Sequence, residues 1–221
     1  MITPIIMESD LAVVREKVEK LKAKNESKIH FDFGDGLFSD LFTIAPADLQ
    51  ELDLRGIKLD FHLLVDDPLE WVEECVALKP QRIFGQIEHM GSQNLFVETV
   101  EGYDVIAGLA LKLETPIEAI EEDMLKKVKA ILLLEIPPGT TGSPFDNKVL
   151  GKLEELRKIY KGEIVMDGGI NPETYHMVMS CGASEAGANS WYWHHLRSDY
   201  ADASTDKQGY GGQGGDFDEK N

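Results

Sequence analysis

Short apolar runs alternate with longer amphipathic stretches along most of the chain. Runs rich in Val, Ile, Leu and Phe predict strands, at residues 2–7, 28–33, 57–65, 82–88, 105–112, 130–136, 163–167 and 183–188. Stretches with helical periodicity predict helices at residues 11–24, 46–54, 68–78, 92–102, 115–121, 147–160 and 172–181. Strands that alternate with helices imply βαβ units and a parallel sheet.

The number of predicted strands favours one parallel architecture over another. Eight strands within 221 residues are typical of a closed (β/α)8 TIM barrel rather than an open doubly wound sheet. No G-x-G-x-x-G follows the first strand, which weakens the dinucleotide-binding alternative. We therefore expect an α/β protein with a TIM-barrel fold.

The pattern breaks down near the end of the chain. Trp191 and Trp193 alternate with Tyr192, which favours the edge of a final strand packed on the barrel or on a partner subunit. Residues 199–221 are acidic and rich in glycine, with too few apolar side chains to offset the entropy of ordering. We expect a barrel domain over residues 1–198, with an uncertain or truncated eighth helix, and a disordered tail over residues 199–221.

Charge limits the classes of partner. The chain has 22 Lys+Arg against 40 Asp+Glu, a net charge of −18, which argues against binding to nucleic acid or to an anionic membrane. Any phosphate site must therefore be built locally. Cys75 and Cys181 have no metal or redox spacing, and the first residues do not resemble a signal peptide. We expect a cytoplasmic protein with no membrane-spanning segment.

Polar side chains interrupt three of the apolar strands. His30 and Asp32 are two residues apart, as are Asp60 and His62, and Asp167 ends a later strand. Residues i and i+2 of a strand project from the same face. Two imidazoles and several carboxylates at the ends of separate strands indicate a divalent-metal site that could also move protons.

Five motifs occur in order along the chain: HFDFGDGLF at 30–38, DFHLLV at 60–65, GLA at 108–110, PGTTGSPF at 138–145 and VMDGGI at 165–170. Together with the opening ITP at 2–4, they resemble the ribulose-phosphate 3-epimerase family, within the ribulose-phosphate-binding barrels. The resemblance covers about residues 1–190.

The resemblance implies a function and a set of site residues. His30, Asp32, His62 and Asp167 would hold one divalent cation, for which Zn²⁺, Fe²⁺, Mn²⁺ and Co²⁺ all remain open. Asp32 and Asp167 would be the acid/base pair. The implied enzyme is an isomerase of the pentose phosphate pathway that inverts carbon 3 of D-ribulose 5-phosphate to give D-xylulose 5-phosphate through an enediolate.

The resemblance also implies a small-molecule sugar phosphate as partner, and it leaves homo-oligomer formation open. Backbone amides of loops after the last strands can bind a phosphate without a basic side chain. The implied phosphate-binding residues are Gly139, Gly142, Ser143, Gly168, Gly169, Asn189 and Ser190.

Five positions near the site depart from the family pattern. Gly34, Leu64 and Leu134 stand where the family has methionines, Ile5 replaces a serine and Gln86 replaces a histidine. We expect Gly34 to leave empty space in the substrate-facing wall. These departures keep two alternatives open. One is an epimerase of a related ketose phosphate, such as a hexulose 6-phosphate, and the other is a catalytically silent metal-binding barrel.

Overall fold

A closed barrel of eight parallel strands forms the centre of the protein. The computed structural model describes residues 2–135, 137 and 145–196. The strands are β1 Ile2–Ile6, β2 Lys28–Gly34, β3 Lys58–Leu64, β4 Arg82–Gln86, β5 Ile106–Lys112, β6 Ala130–Leu134, β7 Glu163–Asp167 and β8 Glu185–Ala188. Each strand pairs with the next in chain order, and β8 pairs with β1. The predicted TIM barrel is confirmed.

Helices connect the strands on the outside of the barrel. The α-helices are α1 Leu11–Ala23, α2 Val72–Val76, α3 Gln93–Glu101, α4 Glu122–Lys127, α5 Lys148–Ile159 and α6 Pro172–Ser180, with 3₁₀ helices at Pro46–Glu51, Pro68–Trp71 and Ile117–Ala119. The helix predicted at residues 115–121 is present only as the 3₁₀ helix Ile117–Ala119, and the α-helix of this connection begins at Glu122. Acidic residues in the first turn of α4 and lysines in its last turn match the helix dipole, a signal that the apolar periodicity did not reveal.

A helix follows β8, at the place of the eighth barrel helix, where the sequence pattern shows none. Residues 190–196, named α7 here, are helical up to the end of the described residues. Trp193 and Leu196 are both buried, as expected for positions three apart on one helix face. The indole Nε1 of Trp193 donates to the backbone oxygen of Ile5 at 2.6 Å, which anchors α7 to β1. The expected strand edge at Trp191–Trp193 is therefore wrong. The expected tail, residues 199–221, lies outside the described residues.

The strands separate two layers of side chains. On β2, Ile29, Phe31 and Phe33 belong to the larger core cluster between barrel and helices, whereas His30 and Asp32 project to the other face. A smaller apolar cluster contains Leu41, Leu64, Phe84, Ala110, Ala130, Leu132, Leu134 and Val165. The barrel thus has an outer apolar layer that holds the fold and an interior that mixes apolar and polar side chains.

A buried network of charges joins the starts of several strands. Arg82, only 1% exposed, donates from Nε to Asp60 at 3.0 Å, from Nη1 to Glu163 at 2.7 Å and from Nη2 to Glu185 at 2.8 Å. Lys28 lies 2.9 Å from Asp60 and 2.6 Å from Glu185. Asp60, which the sequence pattern pairs with His62, therefore belongs to this network at the opposite end of the strands.

We expect Arg82→Met to lower the free energy of unfolding by about 3–5 kcal/mol, because it breaks the buried ion pair with Asp60 and leaves Lys28 as the remaining cation beside Asp60 and Glu185. Chemical denaturation with far-UV circular dichroism measures this change. Arg15→Met is a matched control, since the Arg15–Glu51 ion pair is exposed and 3.8 Å long, and exposed pairs contribute about 1 kcal/mol or less. Equal stability losses in the two variants would show that the buried network is not what stabilises the barrel.

Candidate active site

Four polar side chains from three strands meet inside the barrel towards the carboxyl-terminal ends of the strands. β2 and β3 pair in register, with His30 beside Asp60 and Asp32 beside His62, and Asp167 is the last residue of β7. Catalytic residues of TIM barrels come from this end of the strands. The prediction that His30 and Asp32 project from one face of β2 is confirmed, and His62 projects to the same side.

The four groups are close together and shielded from solvent. His30 Nε2 and His62 Nδ1 each lie 3.1 Å from Asp32 Oδ1, and His62 Nδ1 lies 3.6 Å from Asp167 Oδ2. None of the four residues is more than 5% exposed. One ligand atom from each lies within 4.8 Å of the others, so small side-chain movements would bring all four within about 2 Å of a shared cation.

Burial and neighbouring charges shift the pKa values of three of these four groups. Burial raises the pKa of Asp32, but its hydrogen bonds with His30 and His62 outweigh this effect and hold the pKa well below its ordinary value. Burial and repulsion from Asp32 raise the pKa of Asp167. Burial lowers the pKa of His62, but Asp167 and Asp32 outweigh it and raise the pKa to about 9. A cation that binds here would compete with a proton for His62.

The donor set fits a divalent cation. Among the described residues, Asp167 Oδ2 is a buried oxygen with no hydrogen-bond partner, and an unpaired buried carboxylate oxygen is costly unless a ligand binds it. Two imidazole nitrogens and carboxylate oxygens suit the transition metals better than Mg²⁺ or Ca²⁺. The cluster could therefore hold one such ion.

The loops after β7 and β8 begin side by side, because Asp167 pairs with Gly187. Gly168 and Gly169 both have positive φ, 102° and 58°, which favours glycine because other side chains are strained there. A Cβ on Gly169 would also lie 2.7 Å from Glu135 Oε2. Gly168 and Gly169 follow β7, and Asn189 and Ser190 follow β8, so both pairs lie at the carboxyl-terminal end of the barrel. Gly139, Gly142 and Ser143 lie outside the described residues.

The apolar wall above the cluster differs from the sequence expectation at one point. Leu64 and Leu134 are buried in it as expected. Gly34, however, leaves no empty space, because a Cβ there would lie 2.5 Å from the backbone oxygen of Leu41 and 2.7 Å from its Cγ. The loop after β2 brings Leu41 into the volume that a longer side chain would need.

We expect Gly34→Met to destabilise the protein by about 1–3 kcal/mol, as overpacking of a filled core does. Denaturant titration measures the loss. Gly91→Met is the control, because a Cβ at Gly91 meets nothing within 4 Å. If the double variant Gly34→Met with Leu41→Ala is more stable than Gly34→Met alone, the steric contact with Leu41 is the cause of the stability loss. If Gly34→Met alone is as stable as the unmodified protein, the β2 loop is free to move aside.

Two residues near the site, Lys112 and Glu135, lie outside the motifs. Lys112, at the end of β5, places its ammonium 5.2 Å from the ring centre of Phe38, and Phe38 packs on the inner apolar cluster. Lys112 lies two residues after the inward-facing Ala110, so strand periodicity could have identified it. Glu135 is buried just beyond β6, and burial raises its pKa. Glu135 follows an apolar strand directly, and this position in the sequence could have identified it as a residue near the site.

The sequence similarity to known proteins extends over the whole barrel. The sequence matches the ribulose-phosphate 3 epimerase family over residues 1–191. The chain belongs to this family. It is 26% identical over 190 residues to the ribulose-phosphate 3-epimerase of Bacillus subtilis (strain 168), which covers 83% of this chain and 87% of that protein. It is 28% identical over 210 residues to the chloroplastic ribulose-5-phosphate-3-epimerase of Arabidopsis thaliana, covering 91% and 74% of the two chains.

Solved structures of other barrels share the fold. Phosphoribosyl anthranilate isomerase from Thermus thermophilus superposes with a TM-score of 0.60 at 17% identity, over 93% of this chain and 99% of that one. The N-acetylmannosamine-6-phosphate 2-epimerase of Clostridium perfringens gives a TM-score of 0.63 at 12% identity, over 91% of each chain. At this identity the likeness concerns the fold alone. No helix among the described residues has the length and apolar character needed to span a bilayer.

Proposed function

We propose that this chain is a metal-dependent epimerase that converts D-ribulose 5-phosphate to D-xylulose 5-phosphate by inverting carbon 3. The observation that carries the proposal is the buried cluster of His30, Asp32, His62 and Asp167, in a chain that belongs to the ribulose-phosphate 3-epimerase family. The named relatives carry that activity in their names.

Inversion needs two proton carriers, because the proton that leaves one face of carbon 3 must be replaced from the other face. Asp32 on β2 and Asp167 on β7 lie three strand positions apart around the closed barrel, and both project into its interior. A planar enediolate between them would face one carboxyl group on each side. We therefore assign Asp32 and Asp167 as the acid/base pair.

The same cluster would hold the cation through His30, Asp32, His62 and Asp167. A divalent ion there would act as a Lewis acid and stabilise negative charge on the oxygen atoms of the substrate. The protein positions the four donors through strand pairing and excludes water by burying them. Asp167 Oδ2 has no hydrogen-bond partner among the described residues, which supports a ligand role for this carboxylate.

The phosphate would bind at Gly168, Gly169, Asn189 and Ser190, together with Gly139, Gly142 and Ser143. Two successive glycines with positive φ allow backbone amides to approach an anion closely. Lys112 at the mouth adds a local positive charge in a protein with a net charge of −18, where long-range attraction of an anionic substrate is absent.

A related ketose phosphate, such as a hexulose 6-phosphate, remains the second candidate substrate because the wall residues differ from the family pattern. The packing of Leu41 against Gly34 argues against a pocket enlarged at that point. A catalytically silent barrel is the third possibility, and the compact His/Asp cluster argues against it.

The test is proton exchange in D₂O with ribulose 5-phosphate and with a hexulose 6-phosphate, each followed by NMR at carbon 3. We expect deuterium at carbon 3 and xylulose 5-phosphate from the pentulose, and loss of both after dialysis against a chelator. Faster exchange with the hexulose 6-phosphate than with ribulose 5-phosphate would make the hexulose 6-phosphate the assigned substrate. Absence of exchange with every ketose phosphate would leave only the silent barrel.

A further inference from the structure

Gln86, the last residue of β4, contacts the side of His62 that faces away from the carboxylates. Its side-chain amide lies 2.9 Å from His62 Nε2, and the residue is fully buried. The other ring nitrogen, Nδ1, faces Asp32 at 3.1 Å and Asp167 at 3.6 Å. Gln86 is therefore placed to determine which nitrogen of His62 carries a proton.

The neighbours of Gln86 determine the orientation of its amide. Ala110 O at 3.1 Å and Glu88 Oε2 at 2.7 Å both require a donor, so the amide nitrogen faces them. The amide oxygen then faces His62 Nε2. Because an amide oxygen can only accept a hydrogen bond, His62 Nε2 must donate one.

Glu88 is itself held in place. Its Oε1 accepts hydrogen bonds from the backbone N–H of Lys112 at 2.8 Å and from the hydroxyl of Thr115 at 2.6 Å. This leaves Oε2 to accept from the amide of Gln86. A chain of hydrogen bonds therefore runs from Thr115 through Glu88 and Gln86 to His62, and each link has one donor and one acceptor.

We propose that Gln86 is a positioning residue that holds His62 in the tautomer with Nε2 protonated and the lone pair of Nδ1 directed at the cation. The inference rests on the metal site proposed above and assigns the ligating nitrogen within it. The family resemblance places a histidine at this position, and either nitrogen of an imidazole can donate or accept. An amide whose nitrogen is already bound to two acceptors offers only its oxygen. In this chain the tautomer of His62 is therefore set by a group that does not ionise.

The experiment measures Co²⁺ affinity and the His62 ring protons in the unmodified protein and in three variants. Gln86→Met keeps a similar volume but removes the acceptor, and we expect Co²⁺ affinity to fall about 10- to 100-fold. Gln86→His restores an acceptor and should recover most of the affinity. Gln93→Met is the matched control. Gln93 is also a buried glutamine with two hydrogen bonds, to Ala119 O at 2.7 Å and from Glu121 N at 3.0 Å, but it lies outside the cluster.

The second readout does not depend on catalysis or on affinity. In the Zn²⁺-loaded unmodified protein, ¹⁵N NMR should show a proton on His62 Nε2 that exchanges slowly with water, and this exchange should accelerate in Gln86→Met. Circular dichroism checks that each variant is folded. If the unmodified protein binds Co²⁺ and Gln86→Met binds it equally well with the same proton exchange, the proposal for Gln86 is wrong while the proposed metal site still stands. If the unmodified protein binds no Co²⁺, the metal site fails and this proposal falls with it.

Discussion

Asp32→Asn and Asp167→Asn should each lower the rate of epimerisation about 10²- to 10⁴-fold, the usual contribution of a general acid or base. An amide cannot accept the proton from carbon 3 at the pH of the reaction, so each variant loses one of two carriers. The variants should differ from each other in proton exchange. One carboxylate still serves one face of the substrate, so exchange of the carbon 3 proton with D₂O can continue from that face while net inversion stops.

Two controls separate the loss of a proton carrier from a general effect of substitution and from loss of the cation. Asp66→Asn alters a carboxylate at the mouth that bonds to His89 at 2.8 Å and lies outside the cluster, so turnover should remain near normal. Metal content of the Asp32 and Asp167 variants shows whether a loss of rate merely reflects loss of the cation. Near-normal inversion by both variants with the cation retained would place the proton carriers elsewhere in the barrel.

Much of the barrel was predictable because strands buried on both faces produce apolar runs that few other structures produce. The common face of His30 and Asp32 followed from the same periodicity, whereas the set of four with His62 and Asp167 came from the family resemblance. Periodicity also pairs Asp60 with His62, but Asp60 lies outside the cluster. Strand periodicity indicates which face a residue occupies but not its height along the barrel. Asp60 lies near the start of β3, where it forms an ion pair with Arg82 at the start of β4.

The remaining errors arise from contacts that sequence patterns do not contain. Trp191 and Trp193 alternate as in a strand, yet the hydrogen bond from Trp193 to Ile5 and the burial of Leu196 require a helix. The glycine at position 34 suggests an empty space beside β2, but Leu41, seven residues later in the following loop, fills that space. Such compensation depends on a loop conformation that no local preference encodes.

His62→Ala should weaken the binding of a divalent cation by more than about 100-fold, because loss of an outer-shell partner alone weakens metal affinity about 10- to 100-fold. His62 contacts both carboxylates of the cluster, so its removal deletes one ligand and also releases Asp32 and Asp167 from their shared partner. The two carboxylates would then face each other with less positive charge between them. Titration of the metal-free protein with Co²⁺, followed by visible absorbance and calorimetry, measures the change.

The buried position of His62 means that its removal also leaves a cavity, which can destabilise the fold. Thermal unfolding of His62→Ala without metal shows how much stability is lost for this reason. The second variant, His30→Ala, removes the other imidazole and should also weaken Co²⁺ binding. The control is His176→Ala, an exposed histidine on α6 that should bind Co²⁺ as the unmodified protein does. Unchanged Co²⁺ affinity in a folded His62→Ala protein would mean that the cation binds elsewhere, and the cluster would then be a purely internal set of charged hydrogen bonds.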